Sequence, residues 1–218
     1  MDIPAQVALF PLPDHVLLPG LPASFRIFEP RYRALVADLA AADPERRWLA
    51  MPRLAPGWQA GYGGSPAYLP VAALALVRDI RPLAGGESLI IVEGLVRLRL
   101  GDAPSPHPYR LARAAALPDA PDDSDRAQLA AGVADLAGQA RALLPPGGGA
   151  GQWLERLAGG EDPLAGLAVL GAALVAGADQ RQAFLECLQP AARLEMVRAL
   201  LARAQRERGG WGPRPSAN

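Results

Sequence analysis

The sequence contains no lysine and no threonine, and its only asparagine is the terminal Asn218. The missing lysine removes two catalytic devices at once. A phosphate loop of the G-x-x-x-x-G-K-[ST] type needs its ammonium against the phosphates, and a Ser-Lys peptidase dyad needs one beside the nucleophile. Within these 218 residues neither is expected, so the chain reads as a non-enzyme. Cysteine is reduced to Cys187, and histidine to His15 and His107. One thiol cannot form an internal disulfide, which fits a reducing cytoplasmic location, and three such widely spaced groups make a poor zinc site. No metal and no cofactor are expected. An excess charge of either sign is lacking too, because 22 arginines face 22 acidic residues. There is then no electrostatic reason to expect nucleic acid or an anionic membrane as partner. No long hydrophobic run is present: the uncharged stretch Pro163 to Ala178 is 16 residues, against the ~20 that a spanning helix needs. Met1-Asp-Ile-Pro4 has neither the basic nor the apolar part of a secretory signal.

The residues that are present are organised around Phe25-Arg-Ile-Phe-Glu-Pro-Arg-Tyr-Arg-Ala-Leu-Val36. Ala23–Phe28 reads as a short strand entering the core, and Pro30 presets the start of a helix. Tyr32, Leu35, Val36 and Leu39 then fall at i, i+3, i+4 and i+7, one apolar stripe of a helix over residues 31–41. Glu29 lies at the bend, near the positive end of the helix dipole. Prolines 11, 13, 19 and 22 break the preceding stretch into short edge strands and turns. Trp48–Met51 reads as a strand. Pro52–Pro70 is a long loop with four glycines and with Trp58, Tyr62 and Tyr68; such loops are uncommon unless functional or mobile. Ala72–Arg81 and Ser88–Glu93 form a hairpin through Leu83-Ala-Gly-Gly86, and Gly94 marks a bulge or sharp bend. Val96, Leu98 and Leu100 alternate with Arg97 and Arg99, a half-buried strand with a basic outer face. Tyr109–Ala115 is the last strand. About six short strands with one helix make a partly closed, twisted β-barrel.

The composition shifts at Leu117-Pro-Asp-Ala-Pro-Asp-Asp123, and the remainder of the chain reads as helical. Asp122 or Asp123 caps a helix running to Leu144, and Pro145-Pro-Gly-Gly-Gly149 breaks it. A short helix is expected over Gln152–Ala158. Asp162-Pro163 supplies a cap and a proline at the first position of the next. Asp179 with Gln182 resembles a capping pair for Gln180–Leu188, and Pro190 opens the last helix. The expected domains are residues 1–118, residues 119–208 and a disordered tail, 209–218.

Val7-Ala-Leu-Phe-Pro-Leu-Pro13, Val16-Leu-Leu-Pro-Gly20, Leu21-Pro22 and Ile27-Phe-Glu-Pro-Arg-Tyr-Arg33 together closely resemble the N-terminal substrate-binding domain of Lon proteases, of which standalone versions exist. The resemblance implies an α+β fold, a PUA-like barrel followed by a C-terminal α-helical bundle. Asp162-Pro-Leu-Ala165, Gln182-Ala-Phe-Leu-Glu186 and Arg193-Leu-Glu195 are similar to the family's helical half. Two departures are visible, Leu98 where the family usually has an aromatic and Ala72-Ala73 where it has Gly-Thr.

Other candidate chemistry has an ordinary structural explanation. Gly63-Gly-Ser-Pro-Ala67 approaches a nucleophile elbow, but Pro66 lacks the N–H that an oxyanion hole needs after Ser65. Cys187 reads as a small apolar residue on a helix face, and the acidic pairs at 122–123 and 161–162 as caps. The aromatics Trp58, Tyr62 and Tyr68 are the binding candidates read from the residues, since exposed loop aromatics are frequent in recognition surfaces. The corner Glu29, Pro30, Arg31 and Tyr32 joins them because the resemblance centres there. The function expected is a non-catalytic module for peptides or unfolded apolar segments, an adaptor or regulator working with a protease. A small-molecule or enzymatic protein using a cleft between barrel and bundle is the alternative. Oligomeric state is left open.

Overall fold

The computed structural model describes residues 3–120, 126–142, 162–175 and 177–209. The chain divides into two compact units, Met1–Pro118 with Gly177–Glu186, and Asp119–Ala176 with Cys187–Asn218. The second visit to the first unit differs from a simple division near residue 118. The expected cap at Asp122 or Asp123, the break at 145–149, the helix Gln152–Ala158 and the tail from 210 onward lie outside the described residues.

In the first unit the strands are β1 (Gln6–Leu9), β2 (Pro22–Ile27), β3 (Trp48–Met51), β4 (Val71–Pro82), β5 (Ser88–Ala103) and β6 (Leu111–Ala116). They form a mixed sheet in the order β2-β5-β4-β3-β1-β6, with β5 also paired to β6. The circuit β5-β4-β3-β1-β6 therefore returns to β5, and β2 pairs with the first half of β5 alone. Among these strands β1 and β3 pair in parallel, through Ala8 with Leu49 and Leu9 with Ala50. Small and branched side chains let β4 be buried on both faces. Ala73, Ala75 and Val77 enter one core, while Ala72 and Leu74 enter the other, as the period of two along a strand dictates.

Where two separate strands were expected, β5 is one strand of 16 residues. Its pairing with β4 slips where Leu74 faces Val96 and Ala75 faces Gly94, leaving Leu95 as the extra residue of a bulge. Gly94 is required there by close approach. Its N–H donates to Leu21 O at 2.9 Å, its carbonyl accepts from Gly20 N at 2.7 Å, and a Cβ at this position would overlap the Leu18 carbonyl oxygen. The β4–β5 turn uses Gly85 and Gly86 at φ +71° and +74°, the left-handed region that glycine enters without cost.

Helix α1 (Pro30–Ala41) buries Tyr32, Leu35, Val36 and Leu39, the stripe that its spacing indicates. These side chains share a core with Phe10, Ile27, Leu49, Ile90 and Val92. The preceding strand stops at Ile27, and Phe28 is 59% exposed rather than part of the core. Arg97 also departs from expectation: it is only 7% exposed, so β5 does not carry both arginines on a solvated face.

Among the described residues the other α-helices are α2 (Arg126–Arg141), α3 (Pro163–Leu174), α4 (Ala178–Glu186) and α5 (Pro190–Gly209). Within the second unit α2, α3 and α5 pack pairwise, and Arg193 is buried with Nη2 at 2.6 Å from Asp119 Oδ1. Asp162 caps α3 by accepting from Leu164 N at 3.0 Å. Helix α4 belongs to the first unit, and its polar groups are spent there. Asp179 accepts from Arg53 Nη1 at 2.6 Å, and Gln182 donates to Val71 O at 3.0 Å. The expected Asp179–Gln182 capping pair is therefore replaced by tertiary bonds. Cys187 lies just beyond α4, half-buried, with Sγ 3.6 Å from Gln189 O, not on a helix face. No helix among the described residues is long and apolar enough to cross a membrane.

Two variants check this packing. Leu35 is 2% exposed, and Leu35→Ala should destabilise the protein by ~2–5 kcal/mol as a core truncation. Gly94→Ala should cost ~1–3 kcal/mol, because the added methyl meets backbone that cannot rotate away. Urea unfolding monitored by circular dichroism measures both, and unchanged midpoints would contradict the packing described.

Candidate functional site

The corner between β2 and α1 is fixed by its backbone. Glu29 holds the N-cap position, and its carbonyl accepts from Tyr32 N at 3.0 Å and Arg33 N at 2.9 Å. Its carboxylate does not cap the helix. Instead it accepts from the Tyr62 hydroxyl at 2.6 Å and from Arg31 Nε at 3.0 Å, with Arg31 Nη2 at 2.8 Å. Pro30 opens the first helical turn and serves the helix start.

Tyr62 reaches Glu29 because the Pro52–Pro70 stretch is tied at its base. Leu54 and Tyr68 form a bridge, Ala55 N donates to Ala67 O at 2.9 Å, and Leu69 N donates to Arg53 O at 2.8 Å. A short 3-10 turn, Trp58–Gly61, then places Trp58 edge-on to Tyr62, with ring centroids 5.2 Å apart. Arg31 is the link between corner and loop. Its guanidinium lies 4.7 Å from the Tyr32 ring centroid and 5.0 Å from that of Tyr62, within cation–π reach of both. Burial, then the hydrogen bond to Glu29, raises the Tyr62 phenol above its ordinary pKa. Burial likewise holds Tyr32 well above the usual tyrosine range. Both hydroxyls thus stay protonated at neutral pH.

Tyr68 is placed apart from this group. Its hydroxyl donates to Asp102 Oδ1 at 3.0 Å, and the Arg110 guanidinium sits 4.8 Å from its ring centroid. Burial and the Asp102 bond push its pKa up to about 12. Arg110 also donates from Nη1 to Pro66 O at 2.6 Å, and its Nη2 is 3.4 Å from Asp102 Oδ1.

Between the two arginines the first unit has an open cavity of about 510 Å³, lined in part by Arg31, Tyr32, Ser65, Asp102, Tyr109 and Arg110. That volume is in the range of small-ligand sites. Its far wall is built by Ser105, which accepts from His107 N at 3.2 Å and donates to Tyr109 O at 2.6 Å. Tyr109 in turn donates to Asp38 at 2.6 Å and stacks on His107 at 4.7 Å.

Of the residues singled out from the sequence, Glu29, Arg31, Tyr32, Trp58 and Tyr62 are thus brought into one cluster, and Tyr68 stands on the other side of the cavity. Asp102, His107, Tyr109 and Arg110 were missed. The signal that identified the loop at 52–70, aromatics among prolines and glycines, also marks Pro104-Ser-Pro-His-Pro-Tyr109 and would have found two of them. Ser65 borders the cavity, and no hydrogen bond joins it to a base among the described residues. The same residues hold no group of three or more His, Cys, Asp or Glu suited to a metal ion.

Solved structures share this fold. The N-terminal domain of the Mycobacterium avium complex Lon protease superposes with a TM-score of 0.70 at 20% identity, over 90% of this chain and 98% of that one. A Lon N-terminal domain protein from Xanthomonas campestris gives 0.59 at 22% identity, over 89% and 97% of the two chains. In sequence, Lon protease of Salinispora arenicola is 34% identical over 141 residues, 64% of this chain and 16% of that protein's length. Residues 6–203, nearly the whole of both units, match the family model of the substrate-binding domain of ATP-dependent protease La (Lon), and the chain belongs to that family.

Proposed function

We propose that the chain is a non-catalytic capture module that holds exposed apolar or unfolded polypeptide segments, as an adaptor or regulator for a protease. The reading rests on family membership. Within the fold it is supported by one observation, the convergence of Trp58, Tyr62, Arg31 and Tyr32 on Glu29. Tyr62 is 36% exposed and Phe28, next to Glu29, is 59% exposed. Aromatic rings held rigidly at a surface by an ion pair lose little side-chain freedom when a client covers them. Arg31 adds a planar cation already oriented by Glu29, so it need not be reordered on binding. The same reading takes the closed strand circuit as a PUA-like barrel and the second unit's helices as a bundle, supported by the β5–β6 pairing and by the pairwise helix packing.

The test is binding to a chemically denatured client, measured by fluorescence anisotropy. Replacing Trp58 and Tyr62 together by Ala should weaken binding, each ring acting as an anchor worth ~2 kcal/mol, while circular dichroism stays unchanged. Equal affinity of wild type and double variant would reduce these rings to a cover over the end of the sheet.

A further inference from the structure

The cavity beside the corner holds a feature that the capture of apolar segments does not use. Tyr32 is 5% exposed, and its ring is packed edge-on to Phe10 at 4.9 Å and covered by Arg31. Yet its hydroxyl has no hydrogen-bond partner among the described residues, while the side chain lines the cavity. The hydroxyl is not sealed from the solvent in the cavity, so it is a donor that an acceptor placed there can take up. The two guanidiniums at the same cavity have donors to spare. Arg31 uses Nε and Nη2 on Glu29, leaving Nη1, and Arg110 uses Nη1 and Nη2, leaving Nε, out of the five N–H groups that each arginine carries.

We infer that this cavity receives the C-terminal carboxylate of a client polypeptide, with the Tyr32 hydroxyl, Arg31 and Arg110 as its donors. The charge balance disfavours a dianion. Glu29 offsets Arg31 and Asp102 offsets Arg110, so the rim is rich in N–H donors without the surplus positive charge that a phosphate dianion calls for. The apolar lining favours a chain end over an acidic side chain. Leu9, Pro11 and Pro108 face the same cavity. A terminal residue carries its carboxylate and its side chain on one carbon, so it meets the polar and apolar walls together. This inference rests on the capture function above and names which part of the client is read.

The probes are three versions of one short apolar peptide, labelled with fluorescein at the N-terminus: a free acid, a C-terminal amide, and an amide carrying an internal Glu. The full chain should bind the free acid about tenfold more tightly than either amide, the loss expected for a charge-assisted hydrogen-bond set. In Tyr32→Phe, which keeps the ring and its packing, that preference should fall severalfold with the unfolding midpoint unchanged. Equal binding of free acid and amide overturns the inference and leaves the capture function standing. Equal binding of the internal-Glu amide and the free acid also overturns it, assigning the donors to an acidic side chain. Displacement by inorganic phosphate, at concentrations where acetate has no effect, overturns the carboxylate assignment. Binding of none of the peptides removes both readings.

Discussion

Strand β5 is hydrogen-bonded to β2 and β4 through its first half and to β4 and β6 through its second. Along its length β5 exchanges one neighbour, β2, for another, β6, and it carries a bulge near its middle, where a strand bends. Leu95 supplies the bend as the extra residue of a bulge, and Gly94 allows the Pro19-Gly20 turn to lie directly on the strand. The strand circuit closes through the β5–β6 pairing, and β2 pairs with the first half of β5 and leads to Glu29 at the start of α1. The site therefore depends on a bend in a strand that none of its own side chains belong to, apart from Asp102 and its neighbours at the far end.

At the corner, one carboxylate holds two elements distant in sequence. Glu29 joins the helix start to Tyr62 in the loop, and Arg31 lies between the rings of Tyr32 and Tyr62. Both Glu29 and Arg31 have about three-quarters of their side-chain surface covered, so their attraction is less screened than that of an ion pair in open water. Across the cavity Arg110 performs the matching task for Tyr68 and the Pro66 carbonyl. A long, glycine-rich loop is thus held at two points by arginines that also face the cavity. Arginine suits this double use, because its planar group can hydrogen-bond in its plane and cover a ring with its face.

Much of the first unit was legible in the sequence because its signals are local. The apolar spacing of Tyr32, Leu35, Val36 and Leu39 chose the buried face of α1, and Pro30 chose its start. In the second unit Asp162-Pro163 chose the start of α3 in the same way. The glycines at 85 and 86 and the irregularity at Gly94 were readable because each answers to the backbone of a few residues. The readings that failed concern groups whose partners lie far along the chain. Asp179 and Gln182 have the spacing of a capping pair, yet Arg53 and the Val71 carbonyl, more than a hundred residues earlier, claim them. Arg97 alternates with leucines like a surface residue and is nonetheless buried, because alternation assigns residues to opposite faces without saying what covers each.

For the site the division is similar. Composition gave the expectation of no lysine-dependent phosphate or peptidase chemistry, and the motif through Ile27–Arg33 together with the loop aromatics pointed to most of the corner. That Glu29 would grip Tyr62, that Arg31 would stand between two rings, and that the Tyr32 hydroxyl would face a cavity shared with Arg110 were decided only by the tertiary fold. The physical reason is that a side chain's identity and spacing set what it can bond to, whereas strand register, the bulge at Leu95 and the return of β6 to β5 set what comes within reach.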